Sequence, residues 1–261
     1  MKKIMAIVMA LLMALSIVVA EDVAPVSTEA TETPAELIVE EPVVVTEAEA
    51  TAVVEAATED SGITPDSILY PVDTVVEDIQ LALTTDEAAQ AELAIEIADE
   101  RLAETAVMAD EGNVEAAAEA QAGYDEAIAV AEEAVEAIES DGDAEQAAEA
   151  IEQVAEIKAQ IEGHAAKVAS VKDAILARMA SRKTPEQLAK MQAVFDKIKA
   201  KAVQMETKTA AKKEKVAIKY KALSKKTDAE VEAKVAAIEA KVSGKVKAEQ
   251  AKETASKGKK A

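Results

Sequence analysis

The chain has 261 residues, with no cysteine, no tryptophan and a single histidine, His164. Without cysteine there can be no disulfide frame, no thiolate metal site, no thiol nucleophile and no lipid-modified N-terminal cysteine. Aromatic residues number four, Tyr70, Tyr124, Phe195 and Tyr220. The core must therefore be aliphatic and alanine-rich. Such a core packs closely but buries little area per residue, so slender bundles are expected rather than a thick globule. Glycine and proline are also scarce, at seven and six. With abundant alanine, glutamate and lysine, this composition points to an all-α chain.

Chemistry-bearing patterns are equally scarce. The sequence has no glycine-rich phosphate loop, nucleophile elbow, H-E-x-x-H or Glu-x-x-His pair. It also lacks EF-hand spacing, and Asp141-Gly142-Asp143 reads as a turn without the ligands that would follow. Ser61, Ser67 and Ser140 fall at turns or caps. His164 would need companions to act as a base or ligand, and Glu162, two positions away, lies on a different helix face. The expectation is a non-enzyme, with no catalytic, cofactor-binding or metal residues and no cofactor.

What is present is a charge asymmetry. Residues 21–163 hold 40 acidic residues and two basic ones, Arg101 and Lys158, whereas residues 164–261 hold 25 basic and 11 acidic. An acidic half is joined to a basic half, within a net charge of -22. Three readings of the basic half stay open. It is a solvated surface, or it binds an anionic polymer such as a wall polymer, or it pairs with the acidic half within or between molecules. The lack of aromatic interleaving argues against single-stranded nucleic acid.

Along the chain, Met1–Ala20 combines Lys2 and Lys3, an apolar run from Ile4, and Val18-Val19-Ala20 before Glu21. This is the form of a signal peptide, with an uncleaved membrane anchor as its alternative. Residues 21–62 carry no basic residue and few bulky ones, so a disordered acidic linker is expected. Thr64-Pro65 and Tyr70-Pro71 each place proline where a helix can begin. The spacing predicts a short turn of helix to Leu69 and then a helix to about Leu83. Val72, Val75, Val76, Ile79 and Leu83 recur along it at helical spacing and are expected to seat the core. Thr84 with Glu87 has capping-box spacing for the next helix, to about Glu111.

The pattern predicts further helices at Val114 to about Glu139, Ala144 to about Ser181, a restart at Thr184-Pro185, and a short one from Thr227 to Val242. Tyr124, Ile128, Ala131, Val135 and Ile138 form one seam; Ala147, Val154, Ile161, Val168 and Ile175 form another, repeating every seven residues. Leu188, Met191, Phe195, Ile198, Ala202 and Met205 make a third. Short reversals force an up-down antiparallel bundle, followed by a long coiled-coil-like hairpin. Gly163 is a candidate bend in the second of these helices. The division expected is 1–20 signal peptide, 21–62 linker, 63–140 helical domain, 141–225 long helix and basic hairpin, and 226–261 short helix and basic tail.

TPDSILYP, VEDIQLALTTD and ELAIEIADERLAE resemble a helical domain-of-unknown-function family of secreted and envelope proteins of bacteria and archaea, over about residues 63–138. The resemblance implies an all-helical domain and an exported setting, and it carries no catalytic set. The functional expectation is an exported, non-enzymatic interaction or scaffold protein of the cell envelope, extracellular, surface-bound or periplasmic. Its partners would be an anionic envelope polymer or further copies of itself. An extracytoplasmic sensory domain held by an uncleaved anchor, or a weak divalent-cation buffer, is the alternative.

Overall fold

The computed structural model describes residues 46–140 and 142–257. The expected signal segment and most of the expected linker lie outside them. Among the described residues the chain is all-helical, with seven helices and no strand. They are α1 (Glu47–Asp60), α2 (Tyr70–Leu83), α3 (Glu87–Glu111), α4 (Val114–Ala137), α5 (Ala144–Ala180), α6 (Pro185–Ser224) and α7 (Asp228–Lys257).

Each reversal has a local cause. Gly112 ends α3 in the left-handed region (φ 85°), which only glycine enters without strain, and the Asn113 side chain then caps α4 by accepting from the Ala116 N–H. Asp143 caps α5 by accepting from the N–H groups of Glu145 and Gln146. Thr184 and Gln187 form a capping box around Pro185 to start α6. Two sequence expectations shift here. Residues 64–69 form turns rather than helix, and Asp86, not Thr84, caps α3, by accepting from Ala89 N–H at 2.8 Å. Thr84 instead closes the end of α2.

Helices α3, α4, α6 and α5 surround one core. Antiparallel α3–α4 and α5–α6 hairpins lie side by side, α5 against α3 and α6 against α4. Alanines 91, 94, 98 and 106 of α3 are fully buried, so α4 can approach it closely. The larger fillers include Leu102 and Ile151, with Ile128, Ile161, Ile175, Met191 and Phe195 from the seams read in the sequence. At about 1.5 Å per residue, α5 and α6 are roughly 55–60 Å long and outrun α3 and α4. The last helix, α7, packs on α5 and covers the excess, and it runs on to Lys257 rather than stopping near Val242.

A correction concerns residues 47–60, read as linker but helical. Thr46 and Glu49 form a capping box, and Ala50, Val54 and Ala57 are buried against α3 and α5. Their spacing of four and three supplies a small apolar seam despite the acidic composition. At Gly163, α5 continues as unbroken helix.

A Cβ added at Gly163 would meet nothing within 4 Å. Gly163→Ala should therefore raise unfolding free energy by about 1 kcal/mol, the ordinary helix-interior difference, in urea denaturation.

Candidate functional site

Helix α2 sits on the bundle in an unusual orientation. Its inward side presents Tyr70, Thr74, Glu77 and Leu81, whereas its aliphatic stripe faces solvent. Ile68, Leu69, Val72, Val75, Val76, Ile79 and Leu83 are 46–93% exposed, which overturns the expectation that the five from Val72 to Leu83 seat the core. The reason is electrostatic. Arg101 of α3, buried to 2% of its side-chain area, pairs with Glu77 of α2 and Glu104 of α3. Its guanidinium lies 5.1 Å from the centre of the Tyr70 ring, within cation–π range. A buried arginine without carboxylate partners is costly, so it draws the Glu77 side of α2 inward and turns the valines out. Beneath α2 a cavity of about 370 Å³ remains, lined by residues that include Thr74, Leu81, Ile97 and Glu126. Hydrogen bonding to Arg101, more than close packing, holds this helix.

Room for Arg101 is made on α4. A Cβ at Gly123 would lie 3.0 Å from Arg101 Cδ. One guanidinium serves several carboxyls. Burial pushes Glu77 up to about 7 and Glu104 up to about 8, Arg101 opposing both, with neighbouring Glu100 adding to the rise. Burial likewise raises Tyr70. Asp73, Glu77 and Glu100 each bring one oxygen within 4.8 Å of the others. This is the arrangement nearest to a hard-cation site among the described residues, and Arg101 already supplies positive charge to its Glu77 member.

A second polar array crosses the middle of the bundle. His164 of α5 is buried, with Nδ1 2.7 Å from Asp99 Oδ1 of α3 and Nε2 2.7 Å from the Tyr124 hydroxyl of α4. An ionised carboxylate only accepts, so Nδ1–H donates to Asp99, and the Tyr124 hydroxyl, which can donate or accept, partners Nε2. The Tyr124 and His164 rings stack at 5.5 Å between centres. Burial pushes Asp99 up, but the His164 hydrogen bond and charge, with Lys167, outweigh it and hold Asp99 below its ordinary value. Burial raises Tyr124 strongly. Beside this array lies a cavity of about 550 Å³ among α1, α3, α5 and α7, lined by Asp60, Glu92, Glu96, Glu156, Lys167 and others. Tyr124 itself is fully buried and does not face it. The array pins three helices to one register. Sequence spacing gave His164 no companions because they lie 65 and 40 positions away.

The basic helices fold back on the acidic ones. Lys208 bonds Glu132 at 2.6 Å and Lys215 bonds Glu136 at 3.0 Å, linking α6 to α4. Lys212 is buried and donates to the Glu136 carbonyl at 2.6 Å, and burial lowers its pKa. From α7, Lys241 pairs with Glu152, and Lys245 with Glu156 at 2.9 Å. These contacts pair the basic half with the acidic half within one molecule.

Two outcomes follow from the buried arrays. Tyr124→Phe leaves a buried imidazole nitrogen without its partner, so equilibrium denaturation should show a loss of about 1–3 kcal/mol. Glu77 and Glu104 bind protons more readily folded than unfolded, where their value is 4.5. Between about pH 4.5 and 8 the folded state thus holds more protons, and stability rises as pH falls through that window. Melting temperatures of the wild type should climb from pH 8.5 to pH 5, with a visibly flatter profile in Glu104→Gln.

No curated protein and no solved structure matches the chain. Residues 62–164 match a family model described as a domain of unknown function, DUF5667. The match runs past the 63–138 resemblance into α5 and ends on His164, so Tyr70, Glu77, Asp99, Arg101, Glu104, Tyr124 and His164 all fall inside it. A DUF5667 domain, whose function is unknown, is thus found at residues 62–164, where it comprises α2, α3, α4 and the first part of α5.

Proposed function

We propose that this chain is a non-enzymatic helical interaction protein, exported to the cell envelope, with α2 as the surface it presents. The observation that carries the reading is the outward aliphatic face of α2. Contiguous exposed apolar patches of this kind are rare on chains that work alone and mark interaction sites. A helix whose polar side is fastened inward by a buried arginine is held ready for contact. Export rests on the sequence of residues 1–20, with its basic start, apolar run and small residues near Ala20.

The lysines of α6 and α7 are a weaker candidate surface. Several are engaged with glutamates of α4 and α5, so an anionic envelope polymer would have to displace those partners. The resulting binding would be modest and salt-sensitive, because exposed ion pairs contribute little and are screened. Among the described residues the apolar face has no such competitor.

Co-sedimentation of the full chain with isolated envelope material, across a salt series, tests the reading. Val76→Asp with Ile79→Asp should lower the affinity about tenfold or more, given the transfer free energy of two aliphatic side chains. Binding by wild type and variant to the same extent, or none by either, would remove α2 from the mechanism.

A further inference from the structure

The chemistry around α2 narrows its occupant. On the helix, Val72, Val76, Ile79 and Leu83 alternate by four, three and four, the spacing of a stripe that receives the knobs of a second helix. Ile68 and Leu69 extend the stripe at its N-terminal end and Val75 widens it. Gln80 and Ala82 border it directly, both uncharged and exposed. Beyond them every ionisable side chain is acidic: Asp73 and Asp78 on α2, Asp66 before it, Asp86 and Glu87 after it. Across α4, Glu119 and Glu126 line the edge of the cavity beneath. No lysine or arginine occurs from residue 46 to residue 100, and Arg101 is buried beneath the helix.

An apolar stripe bordered by carboxylates discriminates among partners. A second copy offering the same face would bring its own carboxylates, and an anionic lipid surface would be repelled. An amphipathic helix bordered by lysine or arginine satisfies both demands, since its apolar side covers the aliphatic residues while its flanks meet the carboxylates. We propose that α2 docks a cationic amphipathic helix of another protein, along a contact of about four turns set by its length of roughly 21 Å. The fixed acidic surroundings speed and orient the encounter, and the aliphatic stripe holds the complex. The proposal rests on the reading of the chain as an interaction protein and names the class of partner for that surface.

The test uses the full chain and a fluorescent peptide of about three heptads with leucine at the seam and lysine on the flanks, read by anisotropy near 0.15 M salt. The wild type should bind it, and Val76→Asp with Ile79→Asp should weaken binding about tenfold or more. That variant adds two negative charges, so Coulomb attraction alone would tighten the complex, and a loss therefore reports the apolar contact. The uncharged pair Val75→Gln with Ile79→Gln gives the same readout should the aspartates perturb folding, which circular dichroism checks. Peptides with a scrambled seam, or with glutamate replacing lysine, should bind at least about tenfold more weakly.

Equal affinity of wild type and variants, or equal affinity for lysine- and glutamate-flanked peptides, overturns the proposal. So does a dimer in ultracentrifugation that the α2 variants abolish, which would make a second copy the occupant. Flotation with phosphatidylcholine vesicles that the same variants abolish would assign the face to lipid and overturn it equally. Envelope binding that depends on α2 without any peptide binding would refute the helical partner and leave the interaction reading standing. Peptide binding that depends on α2, without envelope binding, would support the helical partner and refute the envelope setting.

Discussion

Arg101 is the residue on which the presentation of α2 depends. It is placed under a helix otherwise supported by few contacts, in a space opened by Gly123, with glutamates on two helices and a tyrosine ring around it. An apolar residue there would leave nothing to prefer the polar side of α2 over its aliphatic side, and burial of valines would decide the orientation. Buried ion pairs contribute little net stability, because desolvation consumes most of their attraction. What this one supplies is direction. It makes the less hydrophobic face the inner one, against the general tendency that shapes α3 to α6.

Below α2 the bundle follows from its small side chains. With only four aromatics, the core relies on alanines that let α3 and α4 lie close and on long helices that accumulate burial residue by residue. Where the small side chains leave the centre unfilled, Tyr124 and His164 span it, and Asp99 satisfies the imidazole. Within this array the polar groups complete one another. They fix how α3, α4 and α5 stand relative to each other, a specificity that sliding alanine surfaces supply poorly.

Much of this was legible in the sequence. The seams of α4, α5 and α6, the turn at Gly142-Asp143 and the restart at Thr184-Pro185 sit where periodicity and turn chemistry placed them. Two misreadings have physical causes. Periodicity marks which side of a helix is apolar but not which side turns inward, and for α2 that choice is made by a residue 24 positions from Glu77. Helix α1 was hidden because composition over residues 21–62 outweighed a local signal, the Thr46–Glu49 box followed by Ala50, Val54 and Ala57. Reading that stretch in shorter windows would have found it. The companions of His164 had no such signal, since helix packing alone brings Asp99 and Tyr124 to the ring.

Helix α7 joins the rest mainly along α5, through Val231, Ile238, Val242 and exposed lysine–glutamate pairs. So thin a seam lets go before the four-helix core does, and its release is a local opening rather than global unfolding. Val242 and Lys245 form part of the wall of the cavity beside His164, so such an opening would admit water to one flank of that histidine while the bundle stays assembled. Backbone amides of α7 would then exchange with solvent deuterium early and those of α3 late, a gradient of protection set by how many neighbours each helix has.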